Sequence, residues 1–259
     1  MIRLLHVTDT HLVAGAPPVM PPLHFADAVH ALTGRTTDAL AIQVLDRAAS
    51  DRFDVVLHTG DVADVPTAAA YRWSAQLLAG LGCPVLATPG NNDDPGMLAG
   101  AFATGADPAC WSSDVGAWRI VLLSSAHHGS QGGAFGAAAL AGLERELATD
   151  RPVLVATHHP PRSWCPDPDC VVEDADAFAA LVGGRSNVVA VVSGHLHLAA
   201  EAVHDGVTYL SGPSTCLQLD HVHPLPDHNH AATPIGARAI ELRDDGSLHW
   251  ELRWLPPPA

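Results

Sequence analysis

Positive charge is scarce in this sequence: 259 residues carry 13 lysines and arginines against 28 aspartates and glutamates, a formal net charge of −15. That balance excludes binding nucleic acid through a general field, since affinity for the phosphate backbone needs clustered Lys and Arg. A small anionic substrate would need positive charge brought to it locally, which metal ions can supply. Two tyrosines and five phenylalanines are also few, so the core is expected to be aliphatic. No apolar run approaches the roughly 18 residues that cross a membrane. The opening Met1-Ile-Arg-Leu-Leu meets a polar Thr8-Asp9 before a secretory signal could form, so a cytoplasmic location is expected. The five cysteines, Cys83, Cys110, Cys165, Cys170 and Cys216, are odd in number and lack zinc-finger spacing. They read as mostly reduced thiols, with Cys165 and Cys170 of Cys-Pro-Asp-Pro-Asp-Cys able to pair, to bind metal or to do neither.

What is abundant is histidine, 17 residues where about two per hundred is ordinary, and such an excess points to metal chemistry or a solvated His-rich loop. With 47% hydrophobic residues the chain can bury a full core, and one domain over 1–259 is expected.

Buried strands alternate with helices, and the strands end in polar residues. A strand at 2–8 runs into Asp9-Thr-His11, one at 53–59 into Gly60-Asp61, and one at 83–88 into Pro89-Gly-Asn91-Asn92. A fourth at 152–157 meets His158-His159-Pro-Pro, where Pro160 keeps the chain extended. A fifth, the apolar run from Val189 to Ser193, stops at Gly194-His195-Leu-His197. On extended chain, residues two apart leave on the same side, so Asp9 and His11 pair up, as do His195 and His197. Helices are expected over 37–50, 66–81, 136–149 and 175–182, a strand pair at 111–115 and 118–125, and a long Pro- and His-rich loop over 15–30. Segments 199–203, 208–210, 236–242 and 248–255 alternate like antiparallel strands, with Asp244-Asp-Gly-Ser as a hairpin turn, and suggest a second sheet.

In open α/β sheets, ligands gather where the carboxyl ends of strands open into a crevice. The strand ends here offer carboxylate, amide and imidazole without thiolate, a donor set for Mn, Fe, Zn or Co. Seven such side chains exceed what one catalytic ion with an open position needs, and suit two ions sharing a carboxylate.

The series Asp9-x-His11, Gly60-Asp61, Gly90-Asn91, His158 and Gly194-His195-x-His197 resembles the calcineurin-like metallophosphoesterases. Within them, Thr8-Asp-Thr-His-Leu12, the His-His-Pro-Pro run and Gly212-Pro-Ser-Thr-Cys-Leu-Gln218 are similar to bacterial class III cyclic nucleotide phosphodiesterases. The resemblance implies an α/β fold, an αββα sandwich of two mixed sheets flanked by helices. It implies Asp9, His11 and His197 on a first metal, Asn91, His158 and His195 on a second, and Asp61 bridging them, with His159 the alternative to His158. It implies in-line attack on phosphorus by a hydroxide that two ions activate. The substrate is then a small phosphodiester such as a 3′,5′-cyclic nucleotide. Phosphomonoesters or glycerophosphodiesters are the enzymatic alternatives, and a nucleotide-binding module with little turnover is the non-enzymatic one. Such relatives are often dimers, so a homodimer is expected by analogy.

One position departs from the family, which usually has histidine after the asparagine. Asn92 can donate a hydrogen bond to phosphate but cannot titrate. His24, His127, His128 and the histidines of Asp220-His-Val-His-Pro-Leu-Pro-Asp-His-Asn-His230, including His221 and His223, are candidates to contact substrate in its place. A cap or substrate loop is expected at about 213–235.

Overall fold

In a computed structural model, residues 1–17, 24–102, 105, 107–126, 130–165, 167–219 and 234–255 are described. The elements in chain order are β1 (Ile2–Val7), α1 (Phe25–Thr33), α2 (Thr37–Ala48), β2 (Val55–His58), α3 (Ala68–Ala79), β3 (Val85–Ala87) and α4 (Pro95–Ala101). Then come β4 (Cys110–Val115), β5 (Trp118–Leu123), α5 (Gly136–Glu146), β6 (Val153–Ala156), a 3-10 turn (Pro168–Cys170), α6 (Ala175–Val182) and β7 (Val188–Ser193). The chain closes with β8 (Ala200–His204), β9 (Val207–Ser211), β10 (Ile235–Leu242) and β11 (Leu248–Leu255).

Two mixed sheets form, in the orders β11-β10-β1-β2-β3 and β4-β5-β6-β7-β9-β8. Side chains on a strand alternate between faces, and here both faces are buried. From β1, Leu4 joins Val55, Leu57, Ile120, Leu154 and Val192 between the sheets. Leu5 and Val7 pack instead with Leu40, Val44 and Tyr71 of the helices outside the first sheet. Val153, Val155 and Val191 likewise pack outward against Leu143 and Phe178 of α5 and α6. The layering is therefore αββα, as the resemblance implied. Among the described residues no helix is long and apolar enough to cross a membrane.

Two expectations need correction. The last four strands do not make a sheet of their own. β10 and β11 extend the first sheet, β10 pairing antiparallel to β1 with Leu4 opposite Ile240, whereas β9 lies parallel to β7 and carries β8 at the edge of the second. An alternating pattern shows that a segment is a strand but not which remote strand it joins. The loop expected over 15–30 also contains helix α1. Its start is marked by His24 as N-cap, whose backbone N–H donates to the Asp27 carboxylate at 3.2 Å, and by Val29, fully buried one turn on.

Candidate metal centre

The carboxyl ends of β1, β2 and β3 in one sheet meet those of β6 and β7 in the other. The segments after β1 and β2 stay side by side, with Asp9 N–H donating to Gly60 O and His11 N–H to Asp61 O, both at 3.0 Å. Asp9, His11, Asp61, His195 and His197 all have φ between 45° and 69°, the left-handed region that costs a non-glycine residue on the order of 1 kcal/mol or more. Five such residues in one place are held there by cross-sheet contacts. The Asp9 carboxylate accepts the His195 N–H at 3.0 Å, and the Asp9 carbonyl accepts the Ser214 hydroxyl at 2.8 Å. Gly194 allows this approach, because a methyl group there would collide with Thr8 Oγ1 and the Asp9 carboxylate.

Hydrogen bonds fix how each imidazole points. A carbonyl only accepts, so the ring nitrogen facing it must carry the proton. His158 Nδ1 donates to Thr59 O at 2.7 Å, His195 Nε2 to Asp169 O at 3.0 Å and His197 Nδ1 to Leu217 O at 2.9 Å. His11 Nδ1 lies 3.3 Å from an Asp64 carboxylate oxygen, an ion-pair distance off the line of a straight hydrogen bond. The second nitrogen of each ring then faces the centre. His11 Nε2 and His197 Nε2 are 3.2 Å apart, and His158 Nε2 and His195 Nδ1 each lie 3.1 Å from Asn91 Oδ1. Asp61 Oδ2 is 3.6 Å from His11 Nε2 and 3.5 Å from His158 Nε2, and Asp9 Oδ1 is 3.4 Å from His197 Nε2. Lone pairs thus converge on lone pairs, an arrangement that only a proton or a metal cation between them satisfies.

The electrostatics agree. Burial by itself would raise the Asp9 and Asp61 carboxyls, but the imidazoles of His197 and His158 beside them hold both below the usual carboxylate range. Burial likewise disfavours the His158 imidazolium, yet the Asp61 carboxylate outweighs it and raises the group to about 9. His11 is raised too, against burial, by Asp64 and Asp61. The centre demands positive charge. Its donors are oxygen and nitrogen only, and they form clusters of Asp9, His11 and His197, of Asp9, Asp61 and His158, and of His158, His159 and His195. These clusters make a dimetal site, and the residues present fit such ions.

All seven residues expected from the strand ends converge here. His159 does not turn a free nitrogen toward them: Nδ1 meets the Ser125 hydroxyl and Nε2 donates to Gln131 O, both at 2.9 Å. Burial, then the neighbouring His158 and His195, push it down to about 2. Asn92 donates from Nδ2 to Asp61 Oδ2 at 2.8 Å and from its backbone to Oδ1 at 2.9 Å. His24 lines the cleft of about 610 Å3 in front of the centre, with Asn92, Gln131 and Asp169. His127, His128, His221 and His223 lie outside the described residues, as does residue 220–233 of the expected substrate loop.

Sequence reasoning passed over three groups. Asp64, three residues after Asp61, backs His11 and accepts the Ala26 N–H of α1 at 3.1 Å. The Phe25 ring sits 4.4 Å from the His11 ring and 4.9 Å from that of His197. Asp93 accepts from the backbone of Gly90, Val62 and Ala63 and from the Tyr71 hydroxyl, tying the Asp61 and Asn91 loops together. Their only sequence signal was a carboxylate three residues after Asp61 and another two after Asn91. Of the three outcomes left open for Cys165 and Cys170, the structure shows pairing in a disulfide, while Cys83, Cys110 and Cys216 are free. The 3-10 turn that begins at Pro168 ends at Cys170, the Cα atoms of the pair are 6.2 Å apart, inside the range a disulfide bridges, and Asp169 of that turn is the residue that accepts from His195.

Similar proteins place the site in context. The chain is 30% identical over 272 residues to a 3′,5′-cyclic adenosine monophosphate phosphodiesterase of Escherichia coli, covering 98% of this chain and 90% of that one. It is 30% identical over 229 residues to a cAMP/cGMP dual specificity phosphodiesterase of Mycobacterium tuberculosis, covering 84% of this chain and 68% of that one. Its fold is similar to that of a dimetal phosphatase from Danio rerio, at TM-score 0.60 and 13% identity over 99% of both chains. Calcineurin-like phosphoesterase is the family whose pattern matches residues 2–199, and with five strand ends delivering its metal-binding chemistry to one cleft, the chain belongs to the calcineurin-like phosphoesterases.

Proposed function

We propose that this protein is a dimetal phosphodiesterase that hydrolyses small phosphodiesters, 3′,5′-cyclic nucleotides first among them. The observation that carries the reading is the convergence of His11 Nε2, His197 Nε2, His158 Nε2 and His195 Nδ1 on Asp61, Asp9 and Asn91, nitrogen and oxygen donors packed as a cation would need them. Asp9, His11 and His197 hold one cation in this reading, Asn91, His158 and His195 the other, and Asp61 is shared. Asp61 Oδ2 supports the sharing, because it lies within 3.6 Å of a ring nitrogen from each set. Mn, Fe, Zn and Co suit these donors. When bound, such ions offset the charge of the phosphate and acidify an attacking water. The protein's part is to hold the donors rigidly, through left-handed backbone and carbonyl-anchored imidazoles, so that little reorganisation is left to the reaction. Asn92 Nδ2, on Asp61 Oδ2, is placed to donate to a phosphate oxygen. The cyclic nucleotide phosphodiesterases among the relatives support the substrate class.

The test is hydrolysis of bis(p-nitrophenyl) phosphate, 3′,5′-cyclic AMP and p-nitrophenyl phosphate by protein stripped of metal and reloaded with Mn²⁺. Metal-dependent cleavage of both diesters, ahead of the monoester, is expected. A preference for the monoester would make the protein a phosphomonoesterase instead. Asn92→His, run in parallel, reports whether position 92 limits the poorer leaving group.

A further inference from the structure

Cleaving an alkyl phosphodiester expels an alkoxide, which departs slowly unless a proton reaches its oxygen. A positioned acid typically contributes about 10²–10⁴ in rate. Among the described residues, the groups that would hold the cations have none to give. His158, His195 and His197 each turn one nitrogen to a carbonyl and His11 turns one to Asp64, leaving the other nitrogens for the cations. The Asp9 and Asp61 carboxyls stay ionised, His159 is engaged at both nitrogens, and the Asn92 amide does not titrate.

One more histidine lines the described cleft, His24. Its place is fixed by its neighbours. Phe25 packs on the rings of His11 and His197, the Ala26 N–H donates to Asp64 at 3.1 Å, and the His24 backbone is capped by Asp27. Three consecutive residues therefore pin the start of α1 to the centre, and the exposed His24 lines the same cleft as Asn92 and Gln131. Among the described residues, the charged groups that line the cavities His24 lines are Asp27 on its own helix, Asp61 and Asp64 after β2, and Asp167 and Asp169 of the disulfide turn.

Resting on the phosphodiesterase reading above, we infer that His24 is the general acid of the reaction. Water oxygen forms the new bond to phosphorus as the phosphorus–alkoxide bond breaks. The imidazolium of His24 gives its proton to the departing oxygen, the attacking water releases one to solvent, and neutral His24 regains a proton from solvent.

The experiment uses His24→Asn, which still caps a helix but cannot titrate. Turnover of 3′,5′-cyclic AMP, with its alkoxide leaving group, is measured against bis(p-nitrophenyl) phosphate, whose leaving group needs little help. The ratio of the two rates should fall about 100-fold or more, and metal content by elemental analysis should stay at the parent value. His24→Gln must repeat the selective loss, which guards against a fault peculiar to the cap. An unchanged ratio with metal retained, or an equal fall on both substrates, overturns the role of His24 and leaves the phosphodiesterase reading standing. A parent protein that cleaves neither diester overturns the phosphodiesterase reading, and His24 as acid falls with it.

Discussion

His158 and His159 are consecutive, yet their rings stand 88° apart with centroids separated by 4.9 Å. The first hangs from the Thr59 carbonyl and turns Nε2 into the metal centre, while the second spends both nitrogens on Ser125 and Gln131. Both rings lie beside that of His195, but only His158 keeps a nitrogen free to hold a cation.

His158→Ala should therefore lower metal content from two ions per chain toward one. Loss of a group that merely supports a ligand costs about 10–100-fold in affinity, so loss of a ligand should cost at least about 100-fold. His159→Gln should retain both ions. Elemental analysis after dialysis separates the two, and metal lost equally from both variants would contradict the assignment.

Asp61 Oδ2 lies within 3.6 Å of His11 Nε2 and of His158 Nε2, one from each proposed set of donors, and its left-handed φ of 50° makes asparagine the gentlest replacement. Asp61→Asn should weaken both metal positions, whereas Asp9→Asn should mainly weaken the one that includes His197. Calorimetric titration with Mn²⁺ reads this as two weakened sites against one. Full retention of both in Asp61→Asn would argue against a shared carboxylate.

Asp93 holds two loops with one carboxylate, accepting from three backbone N–H groups and the Tyr71 hydroxyl. Asp93→Ala leaves those donors buried without partners, at about 1–3 kcal/mol for each one left unpaired. The variant should lose several kcal/mol in urea unfolding, and Tyr71→Phe about 1 kcal/mol. A loss below about 1 kcal/mol for Asp93→Ala would mean that the loops are held by other contacts.

His6 lies between the sheets with Nε2 on the Thr59 hydroxyl at 2.8 Å, and burial, then the Arg238 charge, push it down to about 3. The unfolded chain takes up this proton near pH 6.5 while the folded chain refuses it until about 3, so stability falls as pH drops through that window. Asp93, raised to about 6 by burial and by the Asp61 charge, acts with the opposite sign between about 4 and 6, and comparison with a His6 variant cancels it. His6→Gln should thus lose less stability than the parent between pH 7 and 4, by on the order of a few kcal/mol. Thermal melts across that range check it, and parallel curves would refute a neutral buried His6.

The strand ends were legible because a run of β-branched and aliphatic residues that halts at glycine and a metal-binding side chain marks both an element and its chemistry. Asp9, His11, Asp61, Asn91, His158, His195 and His197 could all be picked out that way, and the layered fold was what the resemblance carried by those residues implied. Three things needed the folded chain. Which sheet β10 and β11 join depends on β10 pairing with β1, where Leu4 stands opposite Ile240, and no local pattern encodes that long-range pairing. Which of His158 and His159 faces the centre depends on the orientation of β6 between its sheet partners and α5. Asp64, Asp93 and Phe25 act on backbone and rings brought to them from other loops, so their roles exist only once those loops meet. The sequence by itself determined the chemical groups and their places at the ends of strands. Tertiary structure decided which lone pairs converge, because direction and distance come from packing two sheets against each other.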